Sequence, residues 1–207
     1  MKEIAVAIHA KEDFDPHIIN GLENLDYIHV DVMDGKFVNN FNLNLSVFKI
    51  LKENFEYPIV AHLMVSNPID YVKKIINFTD VILFHYESEG NIEEIINKVK
   101  DYNKKVGIVI NPNTEISNII SYLNKIDYVL VMAVNPGWSG QKFIPATIDK
   151  VNKIAQYKKK FKFEIIVDGG INLDNAIKLM NADILSSSST ILNAKDPNYI
   201  IEALKKV

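Results

Sequence analysis

Apolar residues along the chain fall into short runs rich in β-branched side chains, separated by longer stretches in which apolar positions recur every three or four residues. The short runs are EIAVAIHA, YIHVDVMD, PIVAHLMV, DVILFHYE, KVGIVINP, DYVLVMAV, FEIIVDGG and ADILSSSS, eight in all. Runs of this length bounded by Gly, Pro, Asn or Asp read as strands. Between them, NPIDYVKKIIN offers Pro68 for a first helical turn after Asn67. NIEEIINKVKDY offers Asn91 as a cap, with Ile92, Ile95, Ile96 and Val99 on one stripe. DPNYIIEALKKV closes the alternation as an eighth helix, its lysines at the end that the helix dipole favours.

Strict alternation of strand and helix implies a parallel sheet with right-handed crossovers. Eight such units in 207 residues fit a closed (β/α)₈ TIM barrel better than an open doubly wound sheet. No GxGxxG follows the first run, which disfavours a dinucleotide-binding fold. Neither a linker nor a low-complexity tract interrupts the pattern, so residues 1–207 are expected to form a single α/β domain.

Composition narrows the classes of function. A formal net charge of −3 and a pI near 6.0 argue against a nucleic-acid partner, and the basic cluster KKKFK at 158–162 reads as a solvated helix end. With no cysteine, disulfides and thiolate metal sites are excluded. The first apolar run is five residues long, and no segment reaches the ~18 needed to span a bilayer, so a soluble cytoplasmic protein is expected. All 23 basic residues are lysine. An anion must therefore be held by lysine, hydroxyls, backbone N–H groups or a metal, because the guanidinium fork is absent.

Candidate chemistry sits at the ends of the runs, where parallel barrels place active-site residues. In the second run Ile28, Val30 and Val32 alternate with His29, Asp31 and Met33. A strand there turns the β-branched set toward the helices and the other set into the barrel. His62 and Met64 share one parity in the third run, and Asp168 ends the seventh. Two histidines and two aspartates at one barrel mouth suit a divalent first-row metal such as Zn, Fe, Mn or Co. Met33, Met64 and Met132 are expected to pack nearby as soft chamber-lining residues. VNPGWSGQKF after the sixth run carries Gly137 and Gly140 in a loop long enough to cover a ligand, with Pro145 placed to start the next helix. VDGGIN and SSSST follow the seventh and eighth runs, where many barrels bind phosphate through backbone N–H groups.

The segments HVDVMDGKFV, VAHLMV, VMAVNPGWSGQKFI and VDGG, in that order, resemble those of the ribulose-phosphate 3-epimerase family, and the resemblance covers nearly the whole chain. It implies an isomerase that interconverts D-ribulose 5-phosphate and D-xylulose 5-phosphate by two-base proton transfer through a metal-stabilised enediolate. By the same resemblance His29, Asp31, His62 and Asp168 bind one divalent metal, and Asp31 and Asp168 are the acid/base pair. His62, Gly137, Trp138, Ser139, Gly140, Gly169, Gly170, Ser188 and Ser189 contact the phosphorylated ketose. A homo-oligomer is implied as well. Two alternatives stand beside it: 3-epimerisation of another ketose phosphate such as D-allulose 6-phosphate, and a non-catalytic phosphosugar-binding barrel.

Three departures from the family pattern fall on substrate contacts. Ala7 stands where the family has a serine, Trp138-Ser139 where it has Phe-Gly, and Ser188-Ser189 where it has Gly-Ser. A serine at 188 is strained by about 1–2 kcal/mol if the backbone there needs positive φ. His9, close to Ala7, is expected as a surface or mouth histidine.

Overall fold

The computed structural model describes all of residues 1–207. Nine strands form: β1 (Glu3–His9), β2 (Tyr27–Asp34), β3 (Phe41–Asn42), β4 (Ile59–Met64), β5 (Val81–His85), β6 (Lys105–Ile110), β7 (Tyr128–Met132), β8 (Glu164–Asp168) and β9 (Ile184–Ser187). All except β3 pair in parallel, in the order β1-β9-β8-β7-β6-β5-β4-β2, and β1 pairs with β2 as well as β9, which closes the barrel. β3 lies antiparallel on the end of β2, pairing Met33 with Asn42. Each of the eight apolar runs thus supplies one barrel strand.

Side-chain alternation sorts these strands into two cores. Ile28, Val30 and Val32 of β2, Ile59, Ala61 and Leu63 of β4, and Val129 and Val131 of β7 belong to the layer between sheet and helices. Val60, Leu83, Val109, Tyr128, Leu130, Met132 and Ile166 fill the barrel interior. The outer cluster holds 47 buried residues and the inner one 11. Most of the apolar stabilisation, about 1.5–3 kcal/mol for each fully buried large side chain, therefore lies outside the barrel. The inner face of the mouth can consequently carry polar residues without dissolving the core.

Seven α-helices pack outside: α1 (Ser46–Asn54), α2 (Pro68–Ile75), α3 (Ile92–Lys100), α4 (Ala146–Ala155), α5 (Leu173–Ala176), α6 (Ser189–Leu192) and α7 (Pro197–Lys205). The strict alternation expected from sequence needs correcting at two crossovers. β1 to β2 and β6 to β7 are joined through 3₁₀ turns only, at Pro16–Ile18, Ile116–Asn118 and Ile120–Tyr122, so the final helix is the seventh α-helix. Both segments are rich in Asn, Asp and Pro, which favour turns over helix interiors. They still plug the outer layer, with Ile19, Leu22 and Leu25 in one and Ile119, Leu123 and Ile126 in the other buried.

Local signals act largely as expected. Asn91 Oδ1 accepts the N–H groups of Glu93 and Glu94 at the start of α3, Pro68 opens α2, and Pro145 stands at the N-cap of α4. Asn67 holds the N-cap position of α2, but its amide donates to Asp70 (2.8 Å) rather than capping. The basic cluster at 158–162 lies in and just after a 3₁₀ turn, where Lys158 pairs with Asp183 at 2.7 Å. No helix is long and apolar enough to cross a membrane.

Candidate active site and metal centre

Because the barrel strands are parallel, their C-terminal ends share one rim. The β2–β4 register sets Asp31 beside His62, and the β7–β8 register sets Met132 beside Asp168. His29, Asp31, His62 and Asp168 converge there, each offering one ligand atom, all within 4.8 Å of one another. His62 Nδ1 lies 2.9 Å from Asp31 Oδ1, and His29 Nε2 lies 3.1 Å from the same oxygen. The two ring nitrogens are 3.2 Å apart, and Asp168 Oδ2 is 4.0 Å from His62 Nδ1.

Charge is what this cluster lacks. Both carboxylates are buried, Asp31 at 7% and Asp168 at 8% exposure, and no lysine lines the cavity above them. Burying carboxylates without a cation costs several kcal/mol each. Their proton affinities consequently diverge. Burial, with the Asp31 charge adding to it, raises Asp168 above the usual carboxylate range. Burial acts on Asp31 in the same sense, but hydrogen bonds and charge from His29 and His62 outweigh it and hold Asp31 low. Two imidazole nitrogens and two carboxylates aimed at one point, with no lysine among them, fit a divalent metal ion by donor type and by charge.

Above the cluster opens a cavity of about 200 Å³, below the ~300–1,000 Å³ of sites for drug-sized ligands and so suited to a small metabolite. Asp31 and Asp168 reach it from below; Met33, Met64 and Met132 give it an apolar wall; Gly137, Trp138, Ser139 and Gly140 cover one side. Gly169, Gly170, Ser188 and Ser189 bring loop backbone to another. His29 and His62 have no exposed surface and are absent from the lining, so they lie beneath the floor. Ser188 has φ of −108°, so the strain contemplated for a serine at this position does not arise. Ala7 lines the cavity beside His29 in the β1–β2 register.

The covering loop is fastened at both ends. Asn40 Nδ2 donates to the Gly137 carbonyl (2.9 Å), and Gln141 Nε2 donates to the carbonyls of Asn135 (2.6 Å) and Trp138 (2.9 Å). Ser139 Oγ lies 2.8 Å from His9 Nε2, whose ring is 3.7 Å from Asp31 Oδ2. His9 is thus the expected mouth histidine, and it also joins β1 to the loop. Gly170 has φ of +65°, and a Cβ there would stand 2.7 Å from the Phe143 nitrogen and 2.9 Å from the Gln141 carbonyl oxygen. Only glycine lets these two loops touch backbone to backbone.

Three residues of this end escape a reading by motif. Asp34 accepts the N–H groups of Lys36 and Phe37 (both 2.9 Å) and of Ser66 (2.8 Å), tying the β2 turn to the end of β4. Burial would raise its proton affinity, yet those three donors hold it below the usual range. His85 ends β5 with its Nε2 2.9 Å from His62 Nε2 and its Nδ1 3.3 Å from Glu87 Oε2. The signal for His85 was present in its parity: it shares the inward face with Val81 and Leu83, as His62 does with Val60.

Comparisons with known proteins agree with this geometry. The profile of the ribulose-phosphate 3 epimerase family matches residues 7–192. The ribulose-phosphate 3-epimerase of Aquifex aeolicus is 35% identical over 187 residues, covering 88% of this chain and 84% of that protein. The enzyme of that name from Methanocaldococcus jannaschii is 36% identical, covering 88% and 79%. Among solved structures, KGPDC from Streptococcus mutans superposes with a TM-score of 0.74 at 16% identity, covering 100% of this chain and 96% of that one. 3-Hexulose-6-phosphate synthase from Salmonella typhimurium gives 0.74 at 14%, covering 99% and 97%. At such identities these two structures speak for the fold alone. With a family profile spanning most of the barrel and relatives above one-third identity, the chain belongs to the ribulose-phosphate 3-epimerase family and is an epimerase of the isomerase class.

Proposed function

We propose that the protein inverts C3 of D-ribulose 5-phosphate to give D-xylulose 5-phosphate, with Asp31 and Asp168 as the two proton-transfer groups. The observation that carries this reading is their placement. They stand on β2 and β8, three positions apart around the closed sheet, and both line the one cavity. Inverting a carbon beside a ketone requires a base on one face and an acid on the other, and groups on separate strands can flank a sugar in that way. Burial raises the proton affinity of Asp168 while His29 and His62 hold that of Asp31 low, so the two carboxyl groups are unequal partners; one takes the proton as the other delivers one, and the reverse reaction exchanges them.

His29, Asp31, His62 and Asp168 would hold one divalent metal ion. When bound, that ion supplies Lewis-acid stabilisation of the negative charge that develops on the substrate oxygens, worth several kcal/mol. The protein's own residues do the rest. The methionine wall and the loop at 137–140 exclude water, which strengthens the electrostatics of the floor and protects the carbanionic species. With no arginine in the chain, the phosphate is held by loop backbone at Gly169, Gly170, Ser188 and Ser189.

The test is exchange of the C3 hydrogen in D₂O, followed by NMR across a panel of ketose phosphates that includes D-allulose 6-phosphate. Exchange is expected with ribulose 5-phosphate, and Asp31→Asn and Asp168→Asn should each slow it by at least ~10²-fold with the fold intact. Exchange confined to a hexulose phosphate would retire the pentose assignment. Ligand binding without any exchange would retire catalysis.

A further inference from the structure

A chain of side chains runs from the metal cluster through the buried His62 and His85 to Glu87 at the surface. Glu87 Oε1 accepts the backbone N–H of Asn111 (3.0 Å) and the Thr114 hydroxyl, while its Oε2 faces His85 Nδ1 at 3.3 Å. His85 Nε2 then faces His62 Nε2 at 2.9 Å. Both rings are fully buried, so no solvent proton intervenes.

We propose that Glu87 and His85 are positioning residues that fix the tautomer of His62, so that His62 Nδ1 is presented to the metal as a bare lone pair. The assignment follows from counting donors. A backbone N–H can only donate, so Glu87 is an acceptor at Oε1, and an ionised carboxylate is an acceptor at Oε2 as well. His85 must therefore carry its hydrogen on Nδ1, which leaves its Nε2 bare. Between two facing ring nitrogens there is room for one hydrogen, and it must come from His62 Nε2. His62 Nδ1, 2.9 Å from Asp31 Oδ1 and 3.2 Å from His29 Nε2, is then free to ligate. Partners outside a metal site commonly orient a ligating histidine in this manner, and losing one typically costs 10–100-fold in metal affinity.

The inference rests on the metal-site reading above, and the chain predicts a polarity that can be reversed. In Glu87→Gln the side-chain carbonyl must stay with the Asn111 N–H, so the NH₂ turns toward His85. His85 Nδ1 then becomes the acceptor, its hydrogen moves to Nε2, and His62 is driven to carry its hydrogen on Nδ1, where the metal should be. Zn²⁺ affinity, measured by competition with a chelating dye, is expected to fall about 10–100-fold in Glu87→Gln and to change little in Thr114→Val. Long-range ¹H–¹⁵N NMR of the Zn²⁺-loaded protein should show His62 protonated on Nε2 and His85 on Nδ1 in the parent, with the His85 hydrogen lost from Nδ1 in Glu87→Gln, a change that general loosening of the fold would not produce. Should Glu87→Gln fail to fold, the pair His85→Gln and His85→Leu replaces it: the glutamine carbonyl can still accept from His62 Nε2 and should retain affinity, whereas leucine should lose it. Unchanged tautomers and affinity in a protein whose parent binds Zn²⁺ would overturn the relay alone. A parent that binds no divalent metal would overturn the metal reading and the relay with it.

Discussion

Single side chains at the barrel mouth divide into those that do chemistry and those that hold the rim in shape, and Asp34 belongs to the second kind. It carries no substrate-facing atom, yet it satisfies three backbone donors from two strand ends. Asp34→Ala should destabilise the protein by about 1.5–3 kcal/mol at neutral pH, since hydrogen bonds to a charged acceptor are lost and the amides are left unpaired. Its proton affinity is lowered by folding, so its contribution is fully present above the unfolded carboxylate pKa of ~3.9 and is lost as pH falls through the lower folded value. Urea denaturation of both proteins from pH 7 down to pH 3 checks this: the difference should persist to about pH 4 and shrink below it. A difference that vanished already near pH 6 would point to another group. Asp31, Asp168, His29 and His62 were legible in the sequence because a polar side chain inside a β-branched run costs burial energy that a site at the barrel mouth can justify. Asp34 and Glu87 were not, and His85 showed only its inward parity, since their roles depend on partners that chain folding brings from other strands.

At the level of elements, what could be read was whatever shows as a pattern within one run. Strands buried on both faces appear as near-continuous apolar stretches, and the inward parity of the second and third runs was visible from alternation alone. The two crossovers without an α-helix were not visible, because three spaced apolar anchors such as Ile19, Leu22 and Leu25 satisfy the outer layer with or without helical hydrogen bonds. The contact between the β7–α4 loop and the β8–α5 loop was equally hidden, although its glycines stand out in the sequence. Gly170→Ala tests that contact. The φ of +65° and the approach of Phe143 and Gln141 backbone atoms should cost at least about 1–2 kcal/mol for the dihedral. More is lost if the covering loop is pushed off its seat. Amide hydrogen exchange should show faster exchange across residues 137–143 with β8 unaffected. Equal protection in both proteins would mean that the loops do not rely on this packing.

For the molecule as a whole, the unbalanced negative charge at the mouth couples metal binding to folding. An ion that binds only the native state stabilises it by about 2.7 kcal/mol at one hundred times its dissociation constant. Chelation should therefore lower the midpoint of thermal unfolding, and Asp168→Asn should shrink the gap between metal-loaded and metal-free protein. Equal midpoints with and without chelator would separate the cluster from stability. The barrel's closure has a different reach, into the making of the protein. Because β1 completes its pairing only with β9, at Ile184–Ser187, a nascent chain that has already released His29, Asp31, His62 and Asp168 from the ribosome still cannot seal its sheet. At roughly 5–20 residues per second, every donor atom is made before the wall that gathers them is whole. Truncated products of translation should thus be open-edged, prone to pair with one another and poor at capturing the ion.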